Sequence, residues 1–561
     1  MEALKLARAG LLLAALCSPG VVRAEVPTLH SSEPALRQLF ELIGPTLDAN
    51  RRELRGVTGR VLGFGAGDEY PQIWIRDSAT LVPVIRYLYP RERLVSWLEE
   101  HFAHQRPDGS LFDWIAAGPV EHFARWAPQA VRIADRPLAA DRNTVEADQE
   151  TSAVLAALAI YEITGDRDWL LAEVAGRPLL WRCQDALQYL VRRRYDRLSG
   201  LVTSGFSADW GDVSPLYPDQ RAIYLDDRTP RVLGLYTNGL FYGAATALRD
   251  VLAELGHAGR AAYWDQLATR VHDFVNGELW RERRGFYGMH RLLAAAPGPG
   301  WSDPDRFAMG GNAVAALHGL ADRVRSARIV DAAARAARQS GASTVAGVLQ
   351  PPFPRGFFRH GALSEPYRYQ NGGQWDWFAG RLLLVAFENG RSALATDQLL
   401  AIAKKAVANG GLYEWHDLAG VGRGSASYAG SAGALGRALI EGLYGVHLSD
   451  RRLELWVRLG ERSGGVSLRE PTTGVTVSYR YAFDGERVNL DLASSHAQPG
   501  RIGVLLPPGR AAANASLAGR PSAFGTLEVG ADTYATVDVT AWSETRLVIE
   551  LAPEPGRKVH P

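Results

Sequence analysis

Four short segments of this chain repeat one pattern: GSLFDW from Gly109, GLVTSG from Gly200, GFYGMH from Gly285 and GLYEWHD from Gly411. Each follows an amphipathic stripe that closes a pair of helices, so the chain keeps returning to one place and presents a new polar residue there. That recurrence predicts a toroid of helical hairpins. Two of the returns carry carboxylates in aromatic company, Asp113 beside Trp114 and Glu414 between Tyr413 and Trp415. The Gly200 return leads to a third such cluster, Asp209-Trp210-Gly211-Asp212.

Apolar periodicity between Ser32 and about Ser449 gives about twelve helices. They begin near Glu33, Ser78, Arg91, Ala147, Trp169 or Arg177, Tyr236, Gly259, Gly311, Arg323, Gly373, Ser392 and Ser427. One stripe runs Leu240, Ala244, Leu248, Val251 and Leu255 before Gly256 stops it. Paired, the helices make about six hairpins, which predicts a mainly α fold, an (α/α)6 barrel or six-hairpin toroid. After Leu448 the period falls to two, in Leu453, Leu455 and Val457, in Val475, Val477 and Tyr479, and in Val488, Leu490 and Leu492. Phe483-Asp484-Gly485 is a turn signal between two of these runs. A C-terminal β-sandwich is expected there. The boundaries read as a signal peptide over 1–24, a catalytic barrel over 25–449 and the β-domain over 450–561.

Lys5 and Arg8 precede the apolar run Ala9 to Leu16, and Val22-Arg23-Ala24 offers a cleavage site, so the chain is expected to be exported to the periplasm or the exterior. Leu16 is too large for a lipobox around Cys17. The only other cysteine, Cys183, then has no partner for a disulfide, and its helical setting suggests a buried thiol. No later stretch is apolar enough to span a bilayer. A formal net charge of +1 argues against capture of nucleic acid. Many of the 15 Trp and 20 Tyr lie beside acids in loops, and apolar rings stack on pyranose faces.

Those acids define the expected chemistry. Inverting hydrolysis of a glycosidic bond needs one carboxylic acid to protonate the leaving oxygen and one carboxylate to activate water. Asp209 is the expected acid, with a desolvating Trp210 at its side, and Asp212 could share or position the proton. The competing reading is an Asx turn. Glu414 is the expected base; its structural alternative is a loop acid paired with Arg423. Trp74, Arg76 and Asp77 in YPQIWIRDS are expected at the substrate, Asp77 also serving as a helix cap. In VEADQE, Glu146, Asp148 and Glu150 divide between helix capping and substrate contact. Asp113, Trp114, Trp210 and Trp415 complete the aromatic and acidic lining. Asn371, Gln374, Trp375 and Asp376 in YQNGGQWDW, and Asn238 in YTNGLFY, are expected contacts as well. No cofactor or metal is expected, although Asp303 and Asp305 in WSDPDRF form a weak Ca²⁺ candidate.

YPQIWIRDS, YQNGGQWDW and GLYEWHDLAGVGRGSASYAGSAGAL resemble, in order, stretches of the alkaline and neutral invertases and their relatives in the six-hairpin glycosidase superfamily, which includes trehalases and processing α-glucosidases. SADWGD is similar to the trehalase segment that carries the general acid. The resemblance spans about Tyr70 to Leu443 and implies that Asp77 binds the first sugar, Asp209 donates the proton and Glu414 acts as base. Asp376 stands where the family has proline. The expected protein is an exported, inverting glycoside hydrolase acting on an oligosaccharide or glycoside. Two other readings stay open. One is a polysaccharide lyase on a related toroid, using Tyr236 with Asn238, His290 or His360. The other is a glycan-binding protein without catalysis.

Overall fold

The computed structural model describes residues 27–302, 304–542 and 544–553. The expected signal segment and Cys17 therefore lie outside the described residues, as does Asp303. Twelve helices of nine residues or more lie among the described residues: α1 (Pro34–Ala49), α2 (Ile75–Ile85), α3 (Arg91–Ala103), α4 (Gln149–Thr164), α5 (Leu179–Arg193), α6 (Leu235–Glu254), α7 (Ala258–Phe274), α8 (Met309–Leu317), α9 (Arg323–Ser340), α10 (Asp376–Glu388), α11 (Ser392–Asn409) and α12 (Ala429–Arg437). The even-numbered helices pack in sequence, α2 on α4, α4 on α6, α6 on α8, α8 on α10, α10 on α12 and α12 back on α2. Each odd-numbered helix packs outside this ring against its neighbours.

Composition separates the two sets. α8, MGGNAVAAL, is buried from Met309 to Ala316, and α12, AGSAGALGR, from Ala429 to Gly436, because a helix apolar and small on every side has no face for solvent. Outer α9 instead carries arginines along one face and buries Ile329, Val330 and Ala333 on the other. Its ends are signalled locally: the Asp322 side chain accepts from Arg325 N, and Gly341 closes it in the left-handed conformation. The four Gly-started returns each lie between an outer helix and the next inner one, after α3, α5, α7 and α11, and the inner helices begin at one end of the ring.

The C-terminal part forms two sheets, one of seven strands and one of five. Their alternating residues are buried as the period of two requires, among them Leu455, Val457, Tyr479, Leu490, Ile502, Val537 and Ile549. Asp484 Oδ1 accepts from the backbone of Glu486 and Arg487, which makes the expected turn between strands Thr476–Phe483 and Arg487–Ser494. Strands on both sides of the expected 449/450 boundary join these sheets. Thr28–Ser31 pairs antiparallel with Gly464–Arg469, covering an edge of the larger sheet, and Val446–Leu448 already pairs with Leu453–Val457. The β-domain is bonded to the ring through Ser392 Oγ, which donates to Asp532 Oδ2 at 2.5 Å, and Arg458, which donates to the Gly442 carbonyl at 2.6 Å.

Candidate active site

The N-terminal end of the ring gathers six carboxylates, Asp77, Asp113, Glu146, Asp148, Asp212 and Glu414, around one guanidinium. Arg76, in the first turn of α2, donates through Nη1 to Glu146 Oε1 at 2.8 Å, Asp148 Oδ2 at 3.2 Å and the Trp210 carbonyl at 3.1 Å. Burial opposes its charge, but Glu146 and Asp148 hold it firmly protonated. Burial drives Asp113 and Glu146 well above the usual carboxylate range. Arg76 opposes the rise, and their acidic neighbours, Asp212 among them, add to it. Oδ1 of Asp148 and Oδ1 of Asp212 are sealed from solvent without a hydrogen-bond partner. Unmet acceptors of this kind suit a ligand rich in hydroxyl donors.

Glu414 is 4% exposed. Its carboxylate accepts from Tyr70 Oη at 3.2 Å and Ser425 N at 3.2 Å. Gly424, at φ 69°, leaves room for it where any side chain would collide with Oε2. Burial pushes Glu414 up to about 7, while hydrogen bonds from Ser425, Tyr70 and Tyr369 restrain the rise. Arg423 does not pair with Glu414; it pairs with Asp417 at 2.8 Å. Asp77 accepts from Tyr428 Oη at 3.0 Å and is likewise raised by burial, with no capping bond from its side chain.

Asp209 and Asp212 part company. Asp209 has φ 61°, and this turn swings its carboxylate onto the start of α8, where Oδ1 accepts from Gly311 N at 3.0 Å. The approach requires the glycines of that helix: a methyl on Gly310 would meet Trp210 at 2.4 Å and the Asp209 carboxylate at 2.7 Å. Burial raises Asp209 to about 7, and the Gly311 and Gly310 amides oppose the rise; no other acid acts on it. Asp209 thus meets an amide at the start of a helix, the structural role weighed against catalysis, with a carboxyl that burial raises to about 7. Asp212, partly exposed as Asp209 is, lies in the acidic cluster and acts on Tyr70, Tyr369, Asp113 and Glu146. Asp209→Ala is expected to lower stability by about 1–2 kcal/mol, the usual worth of a cap, and Asp209→Asn, which keeps an acceptor, by much less. Equal melting temperatures for both variants and wild type would remove the cap.

Several residues expected at the substrate are committed to the scaffold. Asn238 accepts from Val202 N at 2.9 Å and donates to the Val202 carbonyl at 2.9 Å. Asn312 treats Tyr287 the same way, and Glu150 accepts from Leu111 N at 2.9 Å while paired with Arg142. The third residue of three Gly-started returns is thus clamped by a side chain of the next inner helix, which explains the repeat. Asn371 braces Phe353, Leu363 and Glu365, and Gln374 reaches the Asp417 carbonyl at 2.7 Å. Asp376 is held by Lys405 at 2.7 Å, and Trp375 donates to the Tyr369 carbonyl at 3.1 Å. Trp210 packs among Trp375, Trp377 and Phe378, with centroids 4.8, 5.5 and 4.6 Å away. Trp114 is 2% exposed against Phe123. Only Trp74 and Trp415 of the expected aromatic lining remain partly exposed, joined by Tyr70, Tyr369 and Tyr413. Tyr70, Tyr369 and Tyr428 escaped the sequence reading, although each stands in a segment it had singled out.

Among the described residues no group of His, Cys, Asp or Glu is arranged to hold a metal ion, and Asp305 pairs with Arg284 at 2.6 Å. No helix among them is long and apolar enough to cross a membrane. Cys183 is buried, and burial pushes its thiol up.

No family model and no curated protein sequence matches this chain. Solved structures share its fold. The α-L-rhamnosidase of Streptomyces avermitilis, complexed with L-rhamnose, superposes with a TM-score of 0.56 at 15% identity over 94% of this chain and 42% of its own. The α-L-rhamnosidase of Dictyoglumus thermophilum gives 0.58 at 12% identity over 93% and 50%. The GH63 mannosylglycerate hydrolase of Thermus thermophilus in complex with Tris gives 0.50 at 18% identity over 71% of this chain and 99% of its own. The chain thus spans half or less of the length of the two rhamnosidases. This chain shares its fold with these three glycoside hydrolases.

Proposed function

We propose that the protein is a glycoside hydrolase whose ring of helices is an (α/α)6 barrel, with Asp212 as proton donor and Glu414 as base, acting with inversion. One observation carries the reading. At the end of the ring where all inner helices begin, Asp113, Asp212 and Glu414 are the three clustered carboxylates that lack an ion pair and a direct bond to Arg76 or Tyr428; of these Asp212 alone is partly exposed, Glu414 accepts from the partly exposed Tyr70, and Asp113 is buried. Glu414, poised at about 7, takes the proton of an attacking water. Asp212, its Oδ1 unpartnered, supplies the proton to the departing oxygen. Asp77 and Asp148 accept sugar hydroxyls, and the partly exposed Trp74 and Trp415 offer apolar faces to the ring. The shared fold with named glycosidases supports the class, and the N-terminal segment to Ala24 supports export to the periplasm or exterior.

The lyase reading is weaker on physical grounds. Burial, followed by neighbouring Asp148, pushes the Tyr236 phenol up, and burial drives His290 down to about 4, so neither pairs with a uronate as a poised base. The test is a panel of rhamnosides, glucosides and mannosides, with NMR of the first-formed anomer. Inverted product is expected. Retained configuration would overturn the mechanism, an unsaturated uronate would install a lyase, and sugar binding without turnover would leave a glycan-binding protein.

A further inference from the structure

Below the acidic cluster, the axis of the ring holds a cavity of about 220 Å³ to which all six inner helices contribute, with Thr80, Tyr236, His318, Arg381 and Arg437 among its polar lining. Three guanidinium groups reach it, and they are not equivalent. Arg76 is neutralised by Glu146 and Asp148, and Arg437 by Glu441 at 2.6 Å. Arg381 makes no ion pair among the described residues. Its Nη2 donates to Thr80 Oγ1 at 2.8 Å, its plane lies 5.0 and 4.9 Å from the Trp377 and Phe378 rings, and its Nη1 is sealed from solvent with no partner. Tyr236 beside it, a neutral phenol, is hydrogen-bonded to it, and Asp77 acts on it only through the field and accepts with its own Oδ1 from Tyr428. His318, on the opposite wall, is driven down to about 3 by burial and then by Arg381 and Arg437, so it adds a neutral N–H and no charge.

A guanidinium buried without a counter-charge is costly, and water can meet its hydrogen bonds but not its charge. We propose that this cavity binds one small monovalent anion of halide size, held by the Arg381 guanidinium. One guanidinium without an ion pair calls for one negative charge, and walls that are mostly aliphatic, with Thr80, Tyr236 and His318 as neutral polar groups, favour a small anion. A second cavity of about 230 Å³ shares Pro83, Ala159 and Arg437 with the first, and its charged lining mixes Arg86 and Arg452 with Glu162, Glu388 and Glu441.

Bromide decides the matter. Crystals of the full chain soaked in sodium bromide are expected to show an anomalous peak in this cavity about 3–3.5 Å from the Arg381 guanidinium, a hydrogen-bonding distance for a large anion. The melting temperature is expected to rise with the logarithm of bromide or chloride concentration, and not with gluconate at equal ionic strength. Arg381→Met should lose both the peak and the halide response, whereas Arg451→Met, on the outer surface, should keep them. Anomalous peaks confined to the exterior, an adventitious ion only, would overturn the proposal, as would a cavity filled by water alone. The wild-type soak decides even if Arg381→Met fails to fold.

Discussion

Asp212→Asn should cut turnover of unactivated glycosides by about 10²- to 10⁴-fold, the usual worth of a general acid, while glycosyl fluorides and nitrophenyl glycosides, whose leaving groups depart unprotonated, recover much of their rate. Glu414→Gln should lose as much on every substrate, because the missing step is activation of water. Rescue by activated leaving groups in Asp209→Asn rather than Asp212→Asn would return the proton donor to Asp209. The wild-type value of kcat/KM should rise with pH through about 7 as Glu414 ionises. Tyr70→Phe removes a donor to the carboxylate, so that rise should move to higher pH. Stability moves the other way. Glu414 is raised above its unfolded value, so the folded state holds the proton more tightly and loses stability as pH climbs from about 4.5 through about 7. Glu414→Gln should therefore melt above wild type at pH 8 and level with it near pH 4. The reverse order would mean that the carboxylate is stabilised where it sits.

Helical architecture was legible because period and punctuation agreed. The starts read at Arg91, Arg323 and Ser392 coincide with α3, α9 and α11, while inner helices begin a few residues from where the apolar stripe suggested, at Ile75 for Ser78 and at Asp376 for Gly373. Inner helices are buried on most sides, so their stripe blurs and their first turn carries the polar residues of the site. Strand Thr28–Ser31 was not legible: four residues carry little pattern, and their partner lies at Ser467, far along the chain. Within the site, the Asp209 carboxylate is carried onto the start of α8 by one left-handed backbone angle, which sequence does not display. Asn238 and Asn371 misled for another reason. An amide clamping a peptide and an amide gripping a sugar offer the same donors and acceptors, and only packing decides which group it meets.

Arg76 is the one residue whose loss should damage fold and site together. Arg76→Met keeps the stem against Trp210 and Trp377 but strands Glu146 and Asp148, with Asp113 close by, in a buried space without their cation. Removing one partner of a buried pair costs about 3–5 kcal/mol. The sign with pH follows from the acids left behind. Glu146 is already raised by burial and loses the guanidinium that opposes the rise, so the folded variant takes up protons more avidly than the unfolded chain. The penalty should therefore be small near pH 4 and grow as pH rises above the unfolded carboxylate value, reaching its full size near pH 8. Arg76→Lys restores charge without the fork that reaches both Glu146 and the Trp210 carbonyl, and should fall between the two. Urea denaturation at pH 5 and pH 8 measures the difference. A Met variant as stable as wild type at pH 8 would mean that the clustered acids are neutral in the resting protein, and that Arg76 positions substrate rather than balancing charge.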